Sequence, residues 1–586
     1  MSGLLGVVLV SAVVLGAAYR LYGGLLCRLL RLEEARPTPA VELCDDVDYV
    51  PIEPKFLMGQ HFSAIAAAGP IVGPILAGVM FGWVPALLWI LFGAIFVGGV
   101  HDFTALVASV RHRACSIAEV VQEHISRRSY LLFLVFIWVA LVYIIVAFTD
   151  ITAQSFVGRQ TLENGQVVTG AGIASSSLMY LALPLIMGLL LRYTKLSLGW
   201  ATVIFLPLVG VAIWAGQSIP LDLAAGVQRL MPGTAPPQAD LIAHKTWDVL
   251  LLGYCFIAAV VPMWLLLQPR GHLGGYFLYI ALGGGALGLV LGGQPIQYPA
   301  FMGWTTAKGE ALFPMLFITI ACGACSGFHS IIASGTTSKQ LRRETDARVI
   351  GYGAMLLEGM VAVVSLSCVM VLARGDELAG KSPNLIYAMG IGGFLNAIGL
   401  PAALGVSFAL MAFTTFVYDT LDVCTRLGRY IIEELTGLRN RFGRILSTAL
   451  TAGAPLVFVM RTTLDEKGNP IPVWKTFWAL FGASNQLLAA LTLLGVTAWL
   501  WRTRAEKWVW VVTGLPTVLM YTMSVWALGQ MAAKSFAAGK LLDPVPWVAV
   551  LLIGLALVML VEAILMFARP RVEHPITPSV AEAAGD

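Results

Sequence analysis

Charge is scarce in this chain: Asp, Glu, Lys and Arg make up 12% of its 586 residues, about half the share of an ordinary soluble domain. With 58% hydrophobic residues, that shortage excludes a water-soluble globular protein and leaves a polytopic membrane protein. A basic excess is lacking too. The net charge is +4, and Lys and Arg stand in short clusters beside apolar runs, which excludes nucleic acid as a partner and marks cytoplasmic loops at a lipid bilayer. The 8 cysteines form no even framework and most lie in apolar segments, so no disulfide-stapled exterior domain is expected. There is no Walker A loop, GxSxG elbow or HExxH pair, which removes an ATP motor and the common hydrolases and predicts a non-enzyme without a cofactor. The lone CxxC at Cys322 and Cys325 lacks the βαβ context of a redox motif.

What is present is a series of apolar segments. About fifteen reach spanning length, roughly 20 residues each. They lie near 3–26, 57–82, 83–108, 130–150, 178–192, 198–216, 248–268, 276–293, 313–335, 349–373, 394–418, 445–460, 474–498, 508–530 and 545–568. The first run, Leu4 to Ala18, has its basic residues behind it, at Arg20, Arg28 and Arg31. It therefore reads as a retained helix rather than a signal peptide. Placing the loop of Arg111, Arg113, Arg127 and Arg128 in the cytoplasm puts Lys and Arg there by more than two to one over the exterior loops. The bias keeps phase to Arg569 and Arg571, predicting an all-α membrane protein with N outside and C inside. The long polar stretches 151–177 and 217–247 are expected as exterior surface loops, and the tail from Pro570 to Asp586 as disordered.

Two spans are interrupted. The run GQHFSAIAAAGPIVGPILAGVMFG, residues 59–82, carries Gly69-Pro70 and Gly73-Pro74 at its centre, where proline removes a donor and disfavours helix in the residue before it. In 313–338 the small residues Cys322, Gly323, Ala324, Cys325, Ser326 and Gly327 crowd the middle. Irregular backbone at membrane depth survives where it is packed in protein or lines a cavity. Paired interruptions in two halves point to a transporter's binding site, against the alternative of small residues that merely let intact helices pack closely. On the charge assignment the two interrupted helices run antiparallel. Half-helix N-termini at Gly69–Pro74 and Gly323–Gly327 suit a carboxylate.

Ionisable and polar residues inside spans are functional candidates. His61 precedes the first interruption and His329 follows the second, and both suit proton exchange or a structural hydrogen bond. Asp102, after His101, and Glu358 are carboxylates within spans, available for ion coupling or for a structural pair. Asp419 and Asp422 read as a surface ion pair with Arg426 and Arg429. Asn485 and Gln486 either contact substrate or join helices. Thr414 and Thr415, with carbonyls of the first interruption, could hold sodium. Cys322, Cys325 and His329 share a helical face, so a metal site with His61 as fourth ligand is conceivable but unfavoured.

The runs GQHFSAIAAAGPIVGPILAG (59–78), HDFTALVASVRHR (101–113), ACGACSGFHSIIASGTTSKQL (321–341), ETDARVIGYGAMLLEG (344–359) and FWALFGASNQLLA (477–489) resemble the carbon starvation protein A family. The resemblance implies inner-membrane uptake of pyruvate or small peptides when carbon is scarce, by proton symport. It also implies kinship with transporters built on two inverted five-helix repeats, the LeuT-like core. The matching motif positions are Gly59, His61, Phe62, Gly69, Pro70, Gly73, Pro74, Asp102, Cys322, Gly323, Cys325, Ser326, Gly327, His329, Gly335, Thr336, Thr337, Asn485 and Gln486. The chain departs from the family pattern at Gln60 and His101, where histidine and glutamine are familiar.

The expected organisation is an N-terminal extra helix and linker (1–56), a first repeat (57–216), an exterior loop with two inserted helices (217–312), a second repeat (313–498), and two C-terminal helices with a short tail (499–586). The function expected is a secondary transporter holding a small carboxylate between the interrupted helices and coupling its entry to protons. Sodium coupling is the alternative within transport, and a non-concentrative sensor or channel the alternative outside it.

Overall fold

A computed structural model describes residues 3–45, 49–66, 68–162, 165–307, 309–438, 440–464, 470–504, 506–539, 541 and 543–569. The expected disorder of the tail from Pro570 falls outside these residues. The helices in chain order are α1 (Gly3–Leu30), α2 (Pro39–Glu42), α3 (Pro54–Ile65), α4 (Gly69–Phe81), α5 (Trp83–Gly93), α6 (Gly99–Arg111), α7 (Ile117–His124), α8 (Arg127–Ser155), α9 (Gly170–Tyr193), α10 (Leu198–Ser218) and α11 (Leu223–Leu230). They continue with α12 (Pro236–Val260), α13 (Leu267–Gly292), α14 (Leu312–Thr319), α15 (Phe328–Ile332), α16 (Ala354–Met370), α17 (Pro383–Ala397), α18 (Ala402–Thr436), α19 (Arg441–Val459), α20 (Val473–Thr503), α21 (Leu515–Ala537) and α22 (Pro544–Phe567). The strands among the described residues form two short antiparallel hairpins, Arg159–Thr161 with Val167–Thr169 and Thr463–Leu464 with Pro470–Ile471.

Thirteen helical stretches are long and apolar enough to cross a membrane, α5 and α6 counting as one across the π-helical turn between them, and the bent pair α3 and α4 makes up to fourteen. Their outward faces fit hydrocarbon: Val203 on α10 is 62% exposed and Val561 on α22 54%, an apolar surface that water would penalise and lipid does not. Inside, α20 is buried along nearly its whole length. It packs on α8, which also lies against α18.

Several sequence expectations need correction. The interruption expected in the ninth span, near 313–335, is present but wider than its small residues suggest: α14 stops at Thr319 and α15 starts at Phe328. The span expected near 394–418 begins inside α17. A turn with Gly399 at φ +92 ends that helix and lets α18 start at Ala402, a conformation that costs glycine nothing. The polar stretch 217–247 is largely helical, because Asp222 caps α11 and the Pro236-Pro237 pair opens α12, prolines being suited to a first turn whose N–H groups lack helical partners. The same rule moves the first interruption. Gly69 and Pro70 form the first turn of α4, and the helix breaks just before them, after Ile65, with a bend of 47°.

Candidate functional site

The two interrupted helices cross at their breaks. A Cβ on Gly69 would collide with Cys322 Sγ, and one on Gly73 with the Thr319 carbonyl. One on Gly323 would lie 2.7 Å from Ala362 Cβ and 3.6 Å from both Pro70 Cα and Pro74 Cγ. Glycine is required here for close backbone approach. The expected binding residues Gly69, Pro70, Gly73, Pro74 and Gly323 are thus brought together, packed on one another.

The second break is held by α20. Asn485 Oδ1 accepts from Phe328 N at 3.0 Å and from Ser326 Oγ at 3.3 Å, and its backbone carbonyl accepts from Gly327 N at 3.1 Å. Its amide donates to Ser326 Oγ at 3.0 Å and Cys322 Sγ at 3.4 Å. On the other side of the break, Gln486 Nε2 donates to the Phe317 carbonyl at 2.5 Å. Ser326, Gly327, Asn485 and Gln486 therefore satisfy groups that the broken helix leaves orphaned. The expectation that this half-helix offers free N–H groups to a carboxylate is corrected: Asn485 takes the donors of Gly327 and Phe328.

Behind the break lies a chain of four ionisable side chains, all fully buried. Asp102 Oδ1 is 2.7 Å from His101 Nδ1, and its Oδ2 is 2.7 Å from His329 Nδ1. Glu358 Oε2 is 3.2 Å from His329 Nε2. A carboxylate only accepts, so His329 carries a proton on Nδ1. Neutral His329 would then turn the lone pair of Nε2 toward an ionised Glu358, a repulsion that low dielectric magnifies. One further proton, on Nε2 or on the carboxyl, removes it. π-helical turns precede the residues on both sides: Ala94–Gly98 before His101 and Asp102, and Arg348–Gly353 before Glu358. Such turns are frequent at functional sites.

His61 sits within electrostatic reach of Asp102 and His329. Its Nδ1 lies 2.8 Å from Thr337 Oγ1, while its Nε2 is buried without a partner. It lines a cavity of about 60 Å³ together with Gln60, Gln268, Thr336, Thr337 and Asp419, room for a few waters. Of the residues expected to bind substrate, His61 is the one that reaches this cavity. Gln60, Met263 and Gln268 also line a vestibule of about 770 Å³ walled by Arg192, Arg426, Arg429 and Arg444, with Glu433 among them. The excess of guanidinium groups concentrates anions.

Asp419 and Asp422 are corrected from a surface pair to a buried one. Arg270 of α13 meets Asp419 Oδ1 through Nε at 2.6 Å and Asp422 Oδ2 through Nη2 at 2.6 Å. Ser63 donates to Asp419 at 2.5 Å, and Tyr254 donates to Asp422 at 2.9 Å. Arg426 instead donates to the Ala258 and Val261 carbonyls at the end of α12. Sequence reasoning missed Arg270 as a site residue. Its signal was a single cation inside LLLQPRGHLGG, at the join of the spans expected near 248–268 and 276–293. Thr414 pairs with Ser177 at 3.1 Å, and Thr415 Oγ1 is buried without a partner. Cys322, Cys325 and His329 do not form a metal cluster: His329 turns both ring nitrogens to carboxylates. Among the described residues the groups close enough to share an ion are His112–Glu123–His124 and Asp150–His244–Asp248.

The profile of the family described as "Carbon starvation protein CstA" matches residues 4–385 and 376–527. This chain belongs to that family. The CstA-family chain is 31% identical to the peptide transporter CstA of Escherichia coli K12, over 90% of its own length and 81% of that protein. It is 30% identical to the pyruvate/proton symporter BtsT of the same organism, with 90% and 81% covered. To the peptide transporter CstA of Helicobacter pylori J99 it is also 30% identical, with 89% and 81% covered. The crystal structure of a mutant Eremococcus coleocola manganese transporter overlaps 90% of this CstA-family chain and 98% of its own, at a TM-score of 0.43 and 14% identity.

Proposed function

We propose that this CstA-family chain is a secondary transporter that brings a small carboxylate-bearing carbon source, pyruvate or a small peptide, across the inner membrane together with a proton. The observation that carries the reading is the junction of His329 Nε2 and Glu358 Oε2 at 3.2 Å, a buried place for one exchangeable proton directly behind the break at 320–327. His61 links this chain to the cavity, and the arginine-walled vestibule supplies the field for an anionic cargo. Substrate occupies the cavity beside His61, Thr337 and Asp419 when the helices part. Proton transfer onto the His329–Glu358 junction then biases the exchange between outward and inward states. Two inverted five-helix repeats with N outside and C inside fit the crossed breaks, the loop charges and the matching placement of π-helical turns in the helices that follow each break.

Uptake of labelled pyruvate or short peptides into proteoliposomes, with and without a pH gradient, tests the reading. Accumulation of one of these against its gradient, collapsing with the pH difference, is the expected result. Failure of both to accumulate would reject the substrate assignment. Sodium coupling is the second reading, favoured by the unpartnered Thr415 hydroxyl on α18, which packs against α3. Uptake that needs sodium and persists without a pH difference would select it. Gradient-following flux far above carrier turnover would instead indicate a channel.

A further inference from the structure

At the end of α6 remote from Asp102, the chain turns through residues 112–116 into α7 and brings two imidazoles together edge-on, their ring planes at 82°. His112 Nδ1 lies 2.6 Å from the Ala108 carbonyl. A carbonyl only accepts, so the proton is on Nδ1 and Nε2 keeps its lone pair. That Nε2 is 2.8 Å from His124 Nε2 and 3.9 Å from Glu123 Oε2, while His124 Nε2 is 3.8 Å from Glu123 Oε1. All three ligand atoms fall within 4.8 Å of one another. We propose that His112, Glu123 and His124 form a binding site for a divalent transition-metal ion of the zinc class.

Two imidazole nitrogens and a carboxylate oxygen are a donor set for such an ion. A metal–nitrogen distance of about 2.0–2.1 Å in tetrahedral geometry asks the two Nε2 atoms to separate by roughly half an ångström. Binding displaces the proton that the two rings share, so affinity falls as the histidines are protonated. The bond from His112 Nδ1 to a backbone carbonyl is the outer support that fixes a metal-ligating ring. The turn itself is rigid. Arg111 Nε bonds Glu344 at 2.7 Å and its Nη2 the Leu30 carbonyl at 2.8 Å. Ser116 and Glu119 close a reciprocal cap on α7 at 3.3 and 2.7 Å. Arg113 and Ala114 both adopt positive φ, 58° and 57°, which non-glycine residues rarely do, and this reversal is what carries α7 back toward His112.

The surroundings leave one open side. The histidine side chains are 10% and 2% exposed and that of Glu123 59%, so an ion enters past the carboxylate. Trp499 of α20 covers the other flank, its ring 5.5 Å from that of His112, and Arg502 reaches the Glu123 carbonyl at 3.4 Å. Cys115 stands nearby, but burial, with the Glu119 and Glu123 carboxylates, pushes its thiol up to about 11. Its sulfur is not among the ligand atoms that converge here. The Asp150–His244–Asp248 group is different, because Lys245 Nζ sits 3.9 and 3.8 Å from its two carboxylates and already fills the cation's place.

The test uses the full-length protein in detergent, stripped by chelator and titrated with Zn²⁺ against a chromophoric competitor. The wild type is expected to bind about one equivalent, with His112→Gln and His124→Gln weakening it by roughly 10–100-fold and Glu123→Gln by about tenfold. Asp248→Asn leaves the isotherm unchanged. Because Glu123 is more than half exposed, Glu123→Gln keeps the packing and decides the matter even if a histidine variant fails to fold. No binding by the wild type at millimolar Zn²⁺, or one isotherm shared by wild type and Glu123→Gln, would overturn the site. So would a cobalt(II) complex with a strong thiolate band that disappears in Cys115→Ser.

Discussion

Replacing Glu358 by glutamine removes one wall of the proton site while keeping its shape. In the wild type, His329 stands between Asp102 at 2.7 Å and Glu358 at 3.2 Å, and one proton beyond that on Nδ1 is needed to reconcile the ring with the second carboxylate. In Glu358→Gln the amide donates to the Nε2 lone pair, and the reason for holding a proton vanishes. One proton moving with one monoanion is electroneutral, so the pH difference alone drives accumulation. One pH unit is worth about 1.4 kcal/mol per proton, an accumulation of about tenfold. The assay is steady-state uptake of labelled pyruvate into proteoliposomes at matched and at stepped pH, beside exchange of internal for external substrate. The wild type should follow the pH step by about tenfold per unit, whereas Glu358→Gln should equilibrate near unity and retain exchange. A Glu358→Gln protein that still accumulates substrate in proportion to the pH step would refute the assignment of the proton to this junction.

Three further outcomes follow from the packing and the charges. Gly69→Ala places a methyl on Cys322 Sγ and should cost about 1–3 kcal/mol, read as a lower unfolding temperature in detergent. Arg270→Gln strips the buried Asp419 and Asp422 of the cation they share. It should destabilise by about 3–5 kcal/mol, seen as loss of a monodisperse peak in size-exclusion chromatography, while a surface change such as Lys55→Gln leaves that peak intact. Cys115, its thiol pushed up to about 11, should resist maleimide at pH 7 and gain reactivity tenfold per pH unit as the thiolate fraction rises. Glu119→Gln removes one cause of the shift and should speed labelling at fixed pH. Equal rates in the two proteins would show that burial alone sets it.

Membrane character, most helices and the presence of two interruptions were readable from the chain, because lipid demands long apolar runs and punishes irregular backbone. The exact seat of the first interruption was not. Gly69-Pro70 looks like a breaker, but proline fits the first turn of a helix, so the bend falls upstream of it. Long-range pairs were equally hidden: Asp419 lies near Arg426 in sequence, yet it finds Arg270, 149 residues away. Helix rotation and tertiary packing decide that choice. Asn485 and Gln486 stood out as amides in an apolar span, and their spacing left open whether they serve a substrate or a helix. The distances to Phe317, Gly327 and Phe328 give them to the helix. His329 was legible as a titratable group, but its two carboxylate neighbours come from two other helices that only the fold brings together.

Adjacent residues of α20 hold opposite banks of one gap, Gln486 gripping the chain before it at Phe317 and Asn485 gripping the chain after it at Gly327 and Phe328. A strap of that kind makes the two half-helices and α20 a single moving part. Any swing that changes which side of the membrane the cavity faces must carry all three together, so spin labels on α14 and α20 should keep their separation through the transport cycle while labels on α3 and α20 do not.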